Sequence, residues 1–330
     1  MKKSISRLSA LAGSLVLITS LAACSGSNAA GSPEADFPTR DVTMLVPYAA
    51  GGPTDISARA LATEMEKELD TTVIVENRPG ASGITGLSEA SSAKPDGYTM
   101  VFSTDDSFVQ SVKRTTPYSF ESFDAVGGIF TQPYVIVVPS NSEVSSVEDL
   151  KSSGPLNYAV TGWANPTHVN QAAIFGELGI KATAIPFDGA APASQALIGG
   201  QTDVAMLDAQ AVMPYIKNKD LKALAVLTAD GQRLDYLPDV ETFEEAGLPV
   251  DNQTLTMYGI AVPAGTDDAV VKTIKDAANT ARESENFTKL SEDNYMPLLS
   301  EEDAANWYDL LQKKSASTVK VMEQFNITVE

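Results

Sequence analysis

Cysteine is almost absent: Cys24 is the only one in 330 residues. A single thiol excludes an intrachain disulfide and any multi-cysteine metal site. Histidine is equally scarce, and with His168 alone no multi-histidine metal centre can form. No G-x-S-x-G elbow occurs, so the commonest hydrolase signature is missing as well. Positive charge is in short supply, because 23 Lys and Arg stand against 43 Asp and Glu for a formal charge of −20. Such a surface repels phosphate backbones and anionic headgroups and favours solubility. Nucleic acid is therefore not an expected partner, and no cofactor or metal is implied.

Long apolar runs are also missing, with one exception at the start of the chain. Lys2, Lys3 and Arg7 precede an apolar run over residues 8–21, and Leu21-Ala22-Ala23-Cys24 follows. Basic, then apolar, then small residues is the order of a secretory signal. The run is too short to cross about 30 Å of hydrocarbon as a permanent helix. Cleavage before Cys24 and lipidation of its sulfur are expected, with an ordinary signal and a chance cysteine as the bland alternative. Residues 1–23 then form a leader, and 24–36, small and polar, form a flexible tether that holds the body away from the lipid. Losing Lys2, Lys3 and Arg7 takes the formal charge from −20 to −23. The expected address is the cell envelope, outside the cytoplasm and lipid-anchored.

The body, from residue 37 onwards, is long enough to split into two domains. Residues 41–47 read as a buried strand, followed by the glycine-rich turn Tyr48-Ala49-Ala50-Gly51-Gly52 and an amphipathic helix to residue 69. Pro53 suits the first helical position and Asp55 the first turn. Such a turn exposes backbone N–H groups at the positive end of a helix dipole, which makes an anion cradle. The pattern repeats: strand 72–76, turn 77–83, helix 84–93, strand 98–103 with Thr104-Asp105-Asp106 at its end. Further strands are expected at 134–139, 156–160, 182–187, 203–206 and 221–227, with helices at 146–151, 168–178 and 194–198. Residues 267–324 read as helical apart from a short strand candidate at 295–299. Alternating strands and helices imply mostly parallel sheets with ligands at the strands' carboxyl ends.

The ordered motifs carry a resemblance. They include Leu45-Val46-Pro47-Tyr48 with Gly51-Gly52 and Thr54-Asp55, Val75-Glu76-Asn77-Arg78-Pro79-Gly80-Ala81 with Gly83, and Pro95-Asp96-Gly97-Tyr98-Thr99. Further along come His168, Ile185-Pro186-Phe187 with Gly189, Gly199-Gly200-Gln201 with Asp203, Leu237-Pro238-Asp239-Val240, and Tyr258-Gly259-Ile260. In this order they resemble the substrate-binding proteins of tripartite tricarboxylate transporters, the TctC or Bug family of extracytoplasmic solute receptors. The resemblance implies an α/β, two-domain class II periplasmic-binding-protein fold: two mostly parallel sheets flanked by helices, with a ligand cleft between the domains. It places domain 1 at 37–133 plus 260–330 and inserts domain 2 at 134–259. It also implies a monomeric, non-enzymatic receptor that holds a small carboxylate by backbone N–H groups and delivers it to large and small membrane subunits.

Carried over position by position, the resemblance puts the ligand against Tyr48, Ala49, Gly51, Gly52 and Thr54, then Ala81 and Gly83, then Ser103 and Thr104. Opposite them it puts Thr161, Thr167 and His168, with Asp188 and Gly189. Each has a bland reading beside the functional one. Gly51-Gly52 also suits any tight strand-to-helix turn, and Asp55 reads first as a cap. His168 either lines the cleft or is structural. Trp163, which departs from the family pattern, either walls the pocket or packs. Asp105 and Asp106 face solvent in the plainer reading; facing the cleft, they would favour a zwitterion over an all-anionic ligand. Asp188 poses the same question. Trp307, Tyr308 and Leu311, at helical spacing, read as core. A sensory lipoprotein signalling to a membrane kinase is the competing function, and an enzyme is the third.

Overall fold

The computed structural model describes residues 37–250 and 253–328. Cys24, the leader and the tether lie outside the described residues. The described residues form a single compact unit built on two sheets. The first contains β1 (Val42–Val46), β2 (Val73–Asn77), β3 (Thr99–Thr104), β4 (Phe123–Gln132) and β11 (Thr256–Pro263), in the order β2-β1-β3-β11-β4. The second contains β5 (Tyr134–Pro139), β6 (Leu156–Val160), β7 (Ala182–Pro186), β8 (Val204–Asp208), β9 (Leu221–Leu227) and β10 (Glu241–Thr242), in the order β10-β9-β5-β8-β6-β7. β1 lies parallel to β2 and β3, and β6 parallel to β7 and β8. β11 and β5 run antiparallel to both their neighbours, so each sheet is mixed around a parallel portion.

Helices cover both faces of each sheet, which is why β1, β5 and β11 are apolar almost throughout rather than alternating. One face of the first sheet packs α1 (Pro53–Leu69), α8 (Asp268–Arg282) and α9 (Glu285–Asp293). Its other face packs α2 (Ile84–Ser91), α3 (Asp105–Lys113), α10 (Glu301–Ala305) and α11 (Trp307–Gln324). The second sheet carries α4 (Val147–Ser152) and α5 (Pro166–Glu177) on one side, with α6 (Ala190–Ile198) and α7 (Ala209–Lys217) on the other. Trp307 and Leu311 are fully buried, as their helical spacing implied. Two strand glycines make room for that tryptophan. A Cβ on Gly259 would lie 2.5 Å from Trp307 Cε2, and one on Gly128 would lie 3.0 Å from Trp307 Cγ.

Three expectations need correction. β4 was not anticipated, because Gly127-Gly128 interrupts the apolar pattern that marks a strand. α3 was not anticipated, the residues after Asp106 having been given no element. Residues 295–299 form no strand; Leu298 makes only an isolated antiparallel bridge to Phe130. α7 and the two-residue β10 were not anticipated either, and α5 and α6 start a few residues early, at Pro166 and Ala190.

Topology then fixes where a ligand can sit. β4 ends at Gln132 and β5 begins at Tyr134, so the chain leaves one sheet and enters the other across a single residue. Asp208, the last residue of β8, is paired with Tyr134, the first of β5. The carboxyl ends of β6, β7 and β8 therefore lie at the crossing, as do those of the parallel strands in the first sheet. The loops at these ends face one another.

Candidate ligand cleft

The first loop leaves β1 after Val46 and enters α1. Gly52 is the N-cap residue in extended geometry and Pro53 occupies the first turn, where its missing N–H costs nothing. Asp55 braces the turn: Oδ2 accepts the Gly51 N–H at 2.8 Å, and Oδ1 accepts from Asn77 Nδ2 at 2.9 Å and pairs with Arg59 at 2.9 Å. Asn77 Nδ2 also donates to the Tyr48 carbonyl at 3.1 Å, tying the second loop to the first. Burial opposes ionisation of Asp55, but the Gly51 amide, Arg59 and Asn77 outweigh it and hold the carboxyl below its usual range. The capping reading of Asp55 is thus the one realised. It carries a correction, because the Gly51 amide is already engaged and cannot serve a ligand. The Thr54 and Asp55 amides, in the first turn of α1, have no intrahelical acceptor. Ala49 is exposed beside them.

Around the second and third loops the backbone is tightly seated. Ala81 and Ser82 adopt left-handed φ of 48° and 56°. Gly83 follows at 91°, where a Cβ would lie 2.6 Å from Ser107 Cβ. Gly83 is therefore needed for the close approach of α2 and α3, while Ala81 stays exposed at the rim. Thr104 is the N-cap residue of α3 without a side-chain capping bond, and its hydroxyl lies 2.6 Å from Tyr48 OH. Ser103 is turned inward, fully buried with its hydroxyl 2.5 Å from Ser107 Oγ, so it does not offer a free donor.

Asp105 and Asp106 do not behave as a solvated pair. Asp105 is 3% exposed and accepts the Met257 N–H at 3.3 Å. Burial pushes its carboxyl up to about 6, against the pull of the Lys314 ammonium on α11. Lys314 itself donates to the Leu255 carbonyl at 2.7 Å, and burial brings it down to about 8. Asp106 pairs with Lys113 at 2.9 Å. Both aspartates are satisfied inside the fold, which overturns the solvent reading of Asp105.

On the second sheet, Asn165 organises the start of α5. Its Oδ1 accepts from the His168 N–H at 3.0 Å and from Thr167 Oγ1 at 2.8 Å, while its Nδ2 donates to Thr161 Oγ1 at 2.6 Å. Thr161 N–H closes the ring by donating to Thr167 Oγ1 at 3.0 Å. Thr161 and Thr167 are thus brought together. Asn165 was missed in the sequence, although asparagine directly before a proline is an N-cap signal. Gly189, at φ 101°, is the N-cap residue of α6, its amide bonded to the Phe187 carbonyl at 2.9 Å, and Asp188 beside it is exposed.

His168 and Trp163 point elsewhere. They line a cavity of about 460 Å³ with Tyr158, Ala182 and Ile327, and none of the first-sheet loops contributes to it. Trp163 packs its ring 4.7 Å from His168 and remains half exposed, so it packs and does not wall the space between the sheets. His168 Nδ1 accepts the Ala164 N–H at 3.1 Å.

At the crossing itself, Tyr258 OH donates to Gln132 Oε1 at 3.0 Å and Tyr134 OH lies 2.8 Å from Thr256 Oγ1. Asp208 sits among these phenols as the N-cap residue of α7 with no capping bond, and burial pushes its carboxyl up to about 7. It too was missed, because the strand was expected to stop at residue 206.

Two mixed α/β sheets whose loop-borne helix starts face each other across a strand crossing define a solute receptor of the periplasmic-binding-protein architecture. Within that class the chain belongs to the family described as the tripartite tricarboxylate transporter family receptor, TctC, whose pattern it matches over residues 57–327. It is 30% identical over 274 residues to a UPF0065 protein of Bordetella pertussis, covering 81% of this chain and 84% of the relative. Among solved structures, a TctC solute-binding protein from Polaromonas is similar at a TM-score of 0.78 and 27% identity, over 87% of this chain and 99% of that one. MatC from Rhodopseudomonas palustris, solved with bound malate, is similar at 0.70 and 26% identity, over 86% and 99%.

The single histidine gives a direct test of the loop geometry. Burial brings His168 down to about 4 from an ordinary 6.5. A depressed folded value means that its contribution to stability is complete above about 6.5 and is lost as pH falls through about 4. Its ring resonances should show a neutral imidazole with an unprotonated Nδ1 down to pH of about 5.5. A titration midpoint above about 6 would contradict the buried hydrogen bond to Ala164.

Proposed function

We propose that the protein captures a small carboxylate between the loops of its two sheets and delivers it, as a monomer, to the large and small membrane subunits of a tripartite tricarboxylate-type transporter. The observation that carries this reading is the convergence of helix starts, α1 and α3 on one side and α5 and α6 on the other, at facing strand ends. Each contributes amides aimed out of a positive dipole end, worth roughly 0.3–1 kcal/mol apiece when exposed and more when buried. That suffices for a carboxylate without a buried arginine. The malate bound by the similar MatC supports the ligand class. The acidic surface works against anionic ligands only at long range, since salt screens it beyond about 8 Å. No chemical step is part of the proposed cycle.

The moving bodies in this proposal are residues 37–133 with 256–330, and residues 134–255. We place the return crossing just before Thr256, because β11 runs unbroken from that residue. Two crossings make a hinge, and closure about it is the functional motion. Tyr48, Ala49, Gly52, Thr54, Ala81 and Thr104 form one proposed jaw. Thr161, Thr167, Asp188 and Gly189 form the other. Lipid on Cys24 would hold this body within tether reach of its membrane partners and so raise their effective concentration.

A thermal-shift screen with malate, a longer dicarboxylate, an aromatic acid and an acidic amino acid tests the ligand class. A ligand at about 100 times its dissociation constant should add roughly 2.7 kcal/mol of stability. Gly52→Val should abolish that gain while the protein stays folded, because Gly52 has an ordinary φ of −80° and a Cβ there meets only the Ala49 carbonyl, at 3.5 Å. An undiminished gain in that variant would move the site elsewhere. Separately, Cys24→Ala should shift the protein from the membrane to the soluble fraction. Retention of lipid label by that variant would refute the anchor.

A further inference from the structure

We propose that Lys113 is a positioning residue that clasps the loop carrying Thr161 and Thr167 across the cleft and presets the closed arrangement before ligand arrives. The inference rests on the reading of the cleft given above. Lys113 lies in the last turn of α3, on the first-sheet side, and its side chain is only 3% exposed. Its Nζ donates to Asp106 Oδ1 at 2.9 Å within the same helix. It also donates to the Ala164 carbonyl at 2.9 Å, and Ala164 belongs to the loop between β6 and α5 on the second sheet. One ammonium therefore joins the two proposed moving bodies.

The far end of this contact is built to receive it. Ala164 is 2% exposed and adopts a left-handed φ of 55°, a conformation that strains a non-glycine residue. Its N–H is fixed by His168 Nδ1 at 3.1 Å and its carbonyl by Lys113 at 2.9 Å. A buried carbonyl and a buried ammonium are each expensive without a partner. Swinging α3 away from this loop would break the contact, and the Asp106 pair alone would remain. The Lys113–Ala164 bond thus exists in only one of the two arrangements, which is the condition for biasing their equilibrium. The ring formed by Asn165, Thr161 and Thr167 starts one residue from Ala164. Holding Ala164 therefore also holds those hydroxyls in register. A receptor biased toward the closed arrangement forfeits less of its intrinsic affinity to conformational selection.

Spin labels on Glu68→Cys and Lys181→Cys, in a Cys24→Ala background, report the separation of the two bodies by double electron–electron resonance. Without ligand, the chain retaining Lys113 should give one short, narrow distance distribution. Lys113→Met should convert it to a longer, broader one, and Lys113→Arg should restore the short one. Asp106→Asn should keep the short distance, because the bond to Ala164 survives. Malate affinity, read by calorimetry, should fall about tenfold in Lys113→Met, as expected for a lost charged hydrogen bond, and recover in Lys113→Arg. Unchanged distances in a folded Lys113→Met would overturn the clasp, as would opening in Asp106→Asn. If Lys113→Met fails to fold, the Arg and Asp106→Asn variants decide by the same distances. If malate does not bind the chain retaining Lys113, the proposed ligand class fails while the distance measurement still decides the clasp.

Discussion

One proline separates the two sheets. β4 ends at Gln132, Pro133 follows, and β5 begins at Tyr134, so the two sheets can turn relative to each other only about this short crossing. Pro133 has no N–H to lose, and its carbonyl accepts the Ala209 amide at 2.9 Å, anchoring the start of α7. The returning strand is pinned to the same point: Thr131 Oγ1 donates to the Thr256 carbonyl at 3.1 Å, and Tyr134 OH lies 2.8 Å from Thr256 Oγ1. From this crossing follow the facing strand ends, the opposed helix starts and the cleft between them. The site is a consequence of connectivity before it is a consequence of any single side chain.

Electrostatics around the cleft are decided locally. A chain with a formal charge of −20 would look ill suited to an anionic ligand, yet its acidic groups near the site are mostly committed. Asp55 braces a turn, Asp106 pairs with Lys113, and Asp105 lies against the Met257 amide within the field of Lys314. What faces outward from the helix starts is backbone N–H rather than carboxylate. The exceptions are Asp188, exposed just before α6, and Asp208, whose carboxyl burial pushes up to about 7.

Strand limits were legible in both sheets, with β4 and the two-residue β10 the strands not anticipated. The limits expected for β5, β6 and β9 coincide with those observed, because each is a short apolar run bounded by turn residues. β4 was invisible, since Gly128 answers to Trp307 and Gly127 to the Ala304 carbonyl, distant contacts that no local pattern can encode. α3 was not anticipated because two aspartates open it, and their engagement with Lys113 and Lys314 is a tertiary fact. The glycine-rich cradle at Gly51-Gly52 was legible as a turn, but not that Asp55 would occupy one of its amides. His168 drew notice for being unique, while Asn165 and Lys113, chemically ordinary in sequence, do more to shape the loop beside it.

The central claim is that two loops on different sheets close on one carboxylate. Hydrogen–deuterium exchange of the protein with and without saturating malate tests it most directly. Slower exchange is predicted in residues 48–56 and 161–168 together, since amides on both sides of the cleft would be covered in the same event. Protection on one side alone, or centred on residues 182–184 and 325–328 around the His168 cavity, would contradict the account.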